Sequence, residues 1–168
     1  IVRKDNTQVS SIADLADSVF AYADPYSNTG YLSPRYEIRK LGRDPASFFR
    51  KTFFTWSHRK VVEAVASGLA QGGAVDSYVR DTLLHVEPAL ALRTRVVWRS
   101  PEYGFPPFVS HRSVSAADFQ LMQRHLLDTS ASEKGRSLLA RLNLDGFTIG
   151  SPALYDGVAR MMRAFGEA

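Results

Sequence analysis

Cysteine is absent from the 168 residues. That excludes disulfides, thiolate metal sites and cysteine nucleophiles, and leaves the compartment open. Long apolar runs are missing too. The longest, such as Val61 to Ala70, are broken by Glu63 and Ser67, well short of the roughly 18 to 20 residues of a membrane span. His58, His85, His111 and His125 lie far apart with no H-x-x-x-H pair, so no metal site is read from them. Neither a G-x-S-x-G elbow nor a G-x-x-x-x-G-K phosphate loop occurs, and no cofactor is expected. No apolar stretch follows Arg3, Lys4 and Asp5, so no secretion signal is read. Starting at Ile1 rather than Met, the chain reads as a processed or excised piece.

What is present is an ordinary globular composition, 45% hydrophobic and 23% charged, with a net charge of +4. Disorder and low complexity are thereby excluded. The tightest basic cluster is Arg35, Arg39, Lys40 and Arg43. It reads as a solvated helix face, since a nucleic-acid surface concentrates more charge and interleaves it with aromatics.

From residue 9 to 97 strand and helix signals alternate, which predicts an α/β unit with a parallel sheet. Strands are expected at Ile1–Arg3, Ser18–Ala23, Lys51–Trp56, Gly72–Asp76 and Thr94–Trp98. Helices are expected after the Ser11-x-x-Asp14 box, from the Asp24–Gly30 turn cluster to about Leu41, and over His58–Ala70 and Ser77–His85. A Pro/Gly connector, Ser100 to Pro107, comes next. Beyond it lie a brief strand at Phe108–His111 and then helices, marked by Ser115-x-x-Asp118, Ser130-x-x-Glu133 and Ser151-Pro152. Tyr155, Val158, Met162 and Phe165 form a stripe expected in the core.

Three segments stand where strands end and helices begin, the edge at which open α/β sheets bind ligands. The first is Asp24-Pro25-Tyr26-Ser27-Asn28-Thr29-Gly30. A helix start offers unpaired N–H groups and partial positive charge. Ser27 and Thr29 add hydroxyls, Asn28 an amide, and Gly30 a close backbone approach. Pro34 lacks an N–H, so a carbonyl near Gly30 needs another partner. The second is Thr55-Trp56-Ser57-His58, where His58 would donate to an anion and be favoured in its charged form. The third is Asp76, followed by Ser77. Each segment also has a plain reading, as helix caps or as a packed histidine. A Ser57–His58–Asp76 triad is disfavoured because adjacent Ser57 and His58 project differently, so no catalytic residue is assigned.

These residues resemble the phosphonate/phosphite/phosphate family of periplasmic substrate-binding proteins of ABC transporters, the PhnD-like group. The family's D-P-x-S-T-S-G-Y-L-x-P-R reads here Asp24 through Arg35, and its F-T-G-S-H reads Phe54-Thr55-Trp56-Ser57-His58. Its D-A-G-A-V-D corresponds in outline to Gln71–Asp76, its W-x-S-P exit to Trp98–Pro101, and its L-D-G-F to Leu144–Phe147. Two departures stand out: Asn28 replaces a hydroxyl residue, and Trp56 replaces a glycine near the expected cleft.

The resemblance implies a type II periplasmic-binding-protein-like α/β fold, with one complete lobe around a central sheet plus the C-terminal helices of the other lobe. Residues 1–8 would be the first crossover, 9–97 lobe two, 98–108 the return, and 109–168 the helical part of lobe one. The N-terminal part of lobe one would be absent. It implies a non-enzymatic solute-binding protein, periplasmic or extracytoplasmic, that hands a phosphorus oxyanion to an ABC permease. The ligand would be held by Ser27, Asn28, Thr29, Gly30, His58 and Asp76, with Tyr26, Trp56, Ser57 and Ser77 around the pocket. Asp76 would accept a hydrogen from P–OH or an ammonium group. Exposed helices after residue 108 would allow a homo-oligomer. The competing readings are an extracytoplasmic sensor domain, a regulator's effector domain, or a hydrolase.

Overall fold

The computed structural model describes residues 1–167. It divides into two units: Ile1–Glu102 with the chain from Gly157 onward, and Tyr103–Asp156.

The first unit is built on a five-stranded sheet of β1 (Val2–Arg3), β2 (Val19–Tyr22), β3 (Lys51–Phe54), β4 (Gly72–Gly73) and β5 (Thr94–Arg95). The order is β3-β2-β4-β1-β5. β2 runs parallel to β3 and β4, as the alternation of elements predicts, whereas β1 is antiparallel to β4 and β5. Several strands are shorter than their sequence signals: β3 ends before Trp56, β4 before Asp76 and β5 before Trp98. Backbone bonds to β2 run on a little past these ends, from the Thr55 N–H to the Tyr22 carbonyl and from the Ala74 N–H to the Ala21 carbonyl.

β2 shows why the sheet is covered on both faces. Side chains alternate along a strand. Phe20 and Tyr22 enter one cluster with Val2, Leu15, Ile38 and Phe49. Ala21 and Ala23 enter another with Val61, Ala64 and Val65. The first face is aromatic, with Phe20 stacked on Phe49 at 4.2 Å. The second is small, which lets a helix lie close.

That helix is α2 (His58–Ala66), between α1 (Ser33–Lys40) and α3 (Ser77–Val86), with the short α4 (Pro88–Ala91) after them. The sequence pattern carries α2 to Ala70, but Gly68 stands at φ +82. A left-handed glycine closes a helix, and Leu69 beyond it is exposed. At Ser11 the expected helix is one 3-10 turn, Ala13–Leu15, with Asp14 accepting from the Ser10 and Ser11 N–H groups.

The basic cluster on and beyond α1 is spent inside this unit. The Arg35 guanidinium sits over the Tyr31 ring at 4.4 Å and the Phe165 ring at 4.2 Å, and pairs with Glu167 at 3.1 Å. Lys40 pairs with Glu37, and Arg43 lies over Phe48.

The second unit carries α5 (Ala116–Leu127) and α6 (Glu133–Arg141). Ser115 caps α5 as its box predicts, accepting from the Asp118 N–H at 3.1 Å. α6 is capped by Ser132, not Ser130, because Ser130 lies in the 3-10 turn Asp128–Ala131. No strand forms at Phe108–His111 among the described residues. Phe108 and Val109 are 74% and 84% exposed, without the partner a ladder requires.

A 3-10 turn, Pro152–Tyr155, precedes α7 (Asp156–Ala164). Its tighter winding shifts the helical phase. Met161 is therefore the buried residue of α7, while Met162 and Phe165 are half-buried. No helix among the described residues is long and apolar enough to cross a membrane.

Candidate functional site

Because β2, β3 and β4 are parallel, their carboxyl ends share one edge. The chain leaves β2 through Ala23, whose N–H donates to the Gly30 carbonyl at 3.1 Å. This is the partner that Pro34 obliges Gly30 to find. Between them, Asp24 accepts from the Tyr26 N–H at 2.9 Å, and the Ser27 Oγ accepts from the Gly30 N–H at 2.9 Å. The next turn, Asn28–Leu32, is π-helical. Such single wide turns recur at functional sites. Its first N–H groups have no acceptor within the turn.

Gly30 is required by close approach. A Cβ there would meet the Ala23 Cβ, lie 2.8 Å from His58 Cε1 and lie 2.9 Å from the Ser27 Oγ.

His58 opens α2 at the end of the β3 connection. Its Nδ1 accepts from the Asp76 N–H at 3.1 Å. The proton of the neutral ring therefore sits on Nε2, which lies 3.3 Å from the Ser27 Oγ. Burial pushes the His58 pKa down, against the opposing fields of Asp76 and Asp24. The structure thus holds a neutral Nε2–H donor where the sequence suggests a charge.

Asp76 caps α3. One oxygen accepts from the Tyr78 N–H and the other from the Thr29 hydroxyl, both at 2.9 Å. Ser27, Thr29, His58 and Asp76 thus form one network tying the three strand ends. Ser27 accepts two hydrogens and keeps its own hydroxyl proton to give. The Asn28 Oδ1 is buried with no partner.

The remaining predicted residues sit differently. Tyr26 and Trp56 are 93% and 68% exposed. Ser77 is exposed. Ser57 precedes α2 without capping it through its side chain. A Ser57–His58–Asp76 relay does not form. His58 Nδ1 is an acceptor here, and a relay needs it to donate to the carboxylate. Sequence reasoning gave no role to Thr55, whose one hydroxyl proton is shared between the Ser57 carbonyl at 2.8 Å and the Tyr22 carbonyl at 3.2 Å. Its signals were its place at a strand end and in the F-T-G-S-H pattern over Phe54–His58. Asp24, read as a turn residue, was missed as part of the field on His58. No cluster of metal-ligating side chains occurs among the described residues.

The family model for ABC transporter, phosphonate, periplasmic substrate-binding proteins matches residues 1–155. The chain belongs to this family. A search of the curated proteins finds no match.

Solved structures of similar fold include a binding-protein component of an ABC phosphonate transporter from Pseudomonas aeruginosa. It has TM-score 0.84 and 23% identity over 95% of this chain and 54% of that one. PhnD1 from Prochlorococcus marinus, in complex with methylphosphonate, has TM-score 0.81 and 19% identity over 99% of this chain and 65% of that one. XAC2383 from Xanthomonas citri, bound to ATP, has TM-score 0.68 and 21% identity over 99% and 66%. The chain thus spans 54% to 66% of these relatives' lengths. Identities this low speak for the fold alone, and that fold is the α/β one of periplasmic binding proteins. The family comprises periplasmic substrate-binding proteins.

Proposed function

We propose that this chain supplies the oxyanion-holding half of an extracytoplasmic solute-binding protein, which captures a phosphorus oxyanion for an ABC permease. One observation carries the reading. Ser27, Thr29, His58 and Asp76 converge from three parallel strand ends onto a helical turn whose Gly30 N–H is taken by Ser27 and whose Asn28 and Thr29 N–H groups open the turn without an acceptor inside it. The Ser27 hydroxyl and the open N–H groups are donors suited to P–O oxygens, and the His58 Nε2–H holds Ser27 in place to give its proton. A solved relative of the same fold holds methylphosphonate.

Asp76 and the unpaired Asn28 Oδ1 add acceptors beside these donors. Such acceptors favour a ligand that brings its own hydrogen, a P–OH or an ammonium group. They disfavour sulfate, which has no proton to give at neutral pH. No bond is made or broken, and a hinge between the lobes of the whole protein encloses the ligand.

Calorimetric titration of the full-length protein with methylphosphonate, phosphite, phosphate and sulfate tests this. At least one phosphorus oxyanion should bind, and sulfate should bind far more weakly. Binding of none would refute the proposal, and equal sulfate binding would remove the role given to Asp76.

A further inference from the structure

Trp56 is out of keeping with its backbone. Its φ is +59, in the left-handed region that bulky side chains rarely adopt. The conformation is over-determined from both sides. The Trp56 N–H donates to the Ala23 carbonyl at 2.7 Å, and the Thr55 N–H donates to the Tyr22 carbonyl at 3.0 Å. Burial does not repay the strain, since the side chain is 68% exposed. Its ring touches Phe54 at 5.9 Å and 45°, which leaves indole surface open. A strained aromatic two residues before His58, at the strand edge that holds the Ser27–His58–Asp76 network, is not explained by packing within this chain.

We propose that Trp56 is a specificity-determining residue. It offers its indole face to a flat organic group on the phosphorus ligand, so that the site prefers an aryl-bearing phosphonate or phosphate monoester to a small one. This rests on the oxyanion reading above. Tyr26, 93% exposed on the neighbouring loop, puts a second ring on the same sheet edge. A cation could also lie on an indole. Each oxygen of Asp76 accepts one hydrogen bond, from Tyr78 and Thr29, and keeps acceptor capacity, so phosphocholine is included in the test to separate a cation on the indole from a stacked ring.

The test uses the full-length protein and its Trp56→Gly variant, titrated with methylphosphonate, phenylphosphonate and phosphocholine. Glycine suits the backbone, so the variant should melt at the same temperature or higher. Its affinity for phenylphosphonate should fall roughly 5- to 150-fold, the range for one stacked ring. Its affinity for methylphosphonate should stay within about two-fold, because that ligand has no ring to stack. Indole emission should change when phenylphosphonate binds, and should still change in a Trp98→Phe background. Several results would overturn the inference: equal losses for both phosphonates, no loss for either, a gain with phosphocholine alone, or a lower melting temperature in the glycine variant. If wild-type protein binds methylphosphonate without favouring phenylphosphonate, only this inference fails. If no phosphonate binds, the oxyanion reading fails with it.

Discussion

The two units carry equally clear helix signals but bury very different amounts of side chain. In the first, both faces of the sheet are closed by Val2, Phe20, Tyr22 and Ile38 on one side and Ala21, Val61 and Val65 on the other. In the second, Leu139 is the one buried large hydrophobic among the described residues, while Phe108, Leu121 and Met122 stay exposed. Caps and local hydrogen bonds mark where a helix starts, but so short a helix takes most of its stability from a packed face. A site needs more: strand ends fixed relative to one another, which only a buried sheet provides.

The largest test of that contrast is a matched pair of truncations. Ile38 is fully buried, so Ile38→Ala should cost about 2–5 kcal/mol in denaturant unfolding. Leu121 on α5 is 47% exposed, and Leu121→Ala should stay within about 0.5 kcal/mol. Comparable losses would erase the distinction.

Next is Gly30→Ala. The added methyl has to displace Ala23, His58 or Ser27, and overpacking of this kind costs about 1–3 kcal/mol. It should also abolish methylphosphonate binding, because it pushes apart the groups that form the cradle. A fully stable variant that still binds would mean the cradle is looser than its geometry.

Thr29→Val keeps the shape and removes the hydroxyl bound to Asp76. Losing this hydrogen bond to a carboxylate should lower stability by about 1–3 kcal/mol and weaken methylphosphonate binding, because Asp76 and the turn are no longer tied. Unchanged affinity by calorimetry would place Thr29 outside the binding set.

These residues also show what a sequence reveals. The alternation of elements, the turn cluster at Asp24–Gly30 and the cap at Asp76 are local signals, and each appears in the structure. The consequence of Pro34 was legible because a missing N–H is a covalent fact, and Gly30 indeed bonds elsewhere. The closed network was not legible. That His58 Nδ1 would take the Asp76 N–H depends on β3 and β4 flanking β2, a pairing no local pattern encodes. The missing strand at Phe108–His111 fails for the same reason, since a β-type run without a partner has no ladder to join. Ser132 displaced Ser130 as a cap because two serines two residues apart offer nearly equal local signals. The choice fell to the 3-10 turn Asp128–Ala131, which takes in Ser130 and leaves Ser132 at the helix start.

In the second unit a small and purely local effect is expected. Ser115→Ala removes the acceptor for the Asp118 N–H, costing about 1 kcal/mol. Hydrogen exchange should quicken in α5 and stay unchanged around β2. Equal quickening in both places would show that the units unfold together.

The smallest effect should come from His58, because two carboxylates partly offset the burial that acts on its ring. In the folded chain burial holds its pKa below the ordinary value, which is about 6.5 in an unfolded chain. As pH falls through that value the unfolded chain takes up a proton first. Stability contributed by the neutral ring is therefore present above about pH 6.5 and is lost as pH drops toward the folded pKa, where the loss levels off. The structural reason is the Asp76 N–H, which needs Nδ1 unprotonated. Two-dimensional NMR should find the His58 midpoint on the acid side of its ordinary value. His58→Gln should remove this component from melts taken between pH 7 and pH 5, a window set by the ordinary histidine pKa of about 6.5. The Ser115→Ala variant should retain it, since it keeps His58. A His58 midpoint above the ordinary value would mean that Asp76 and Asp24 outweigh burial, and that the ring enters the site as a cation.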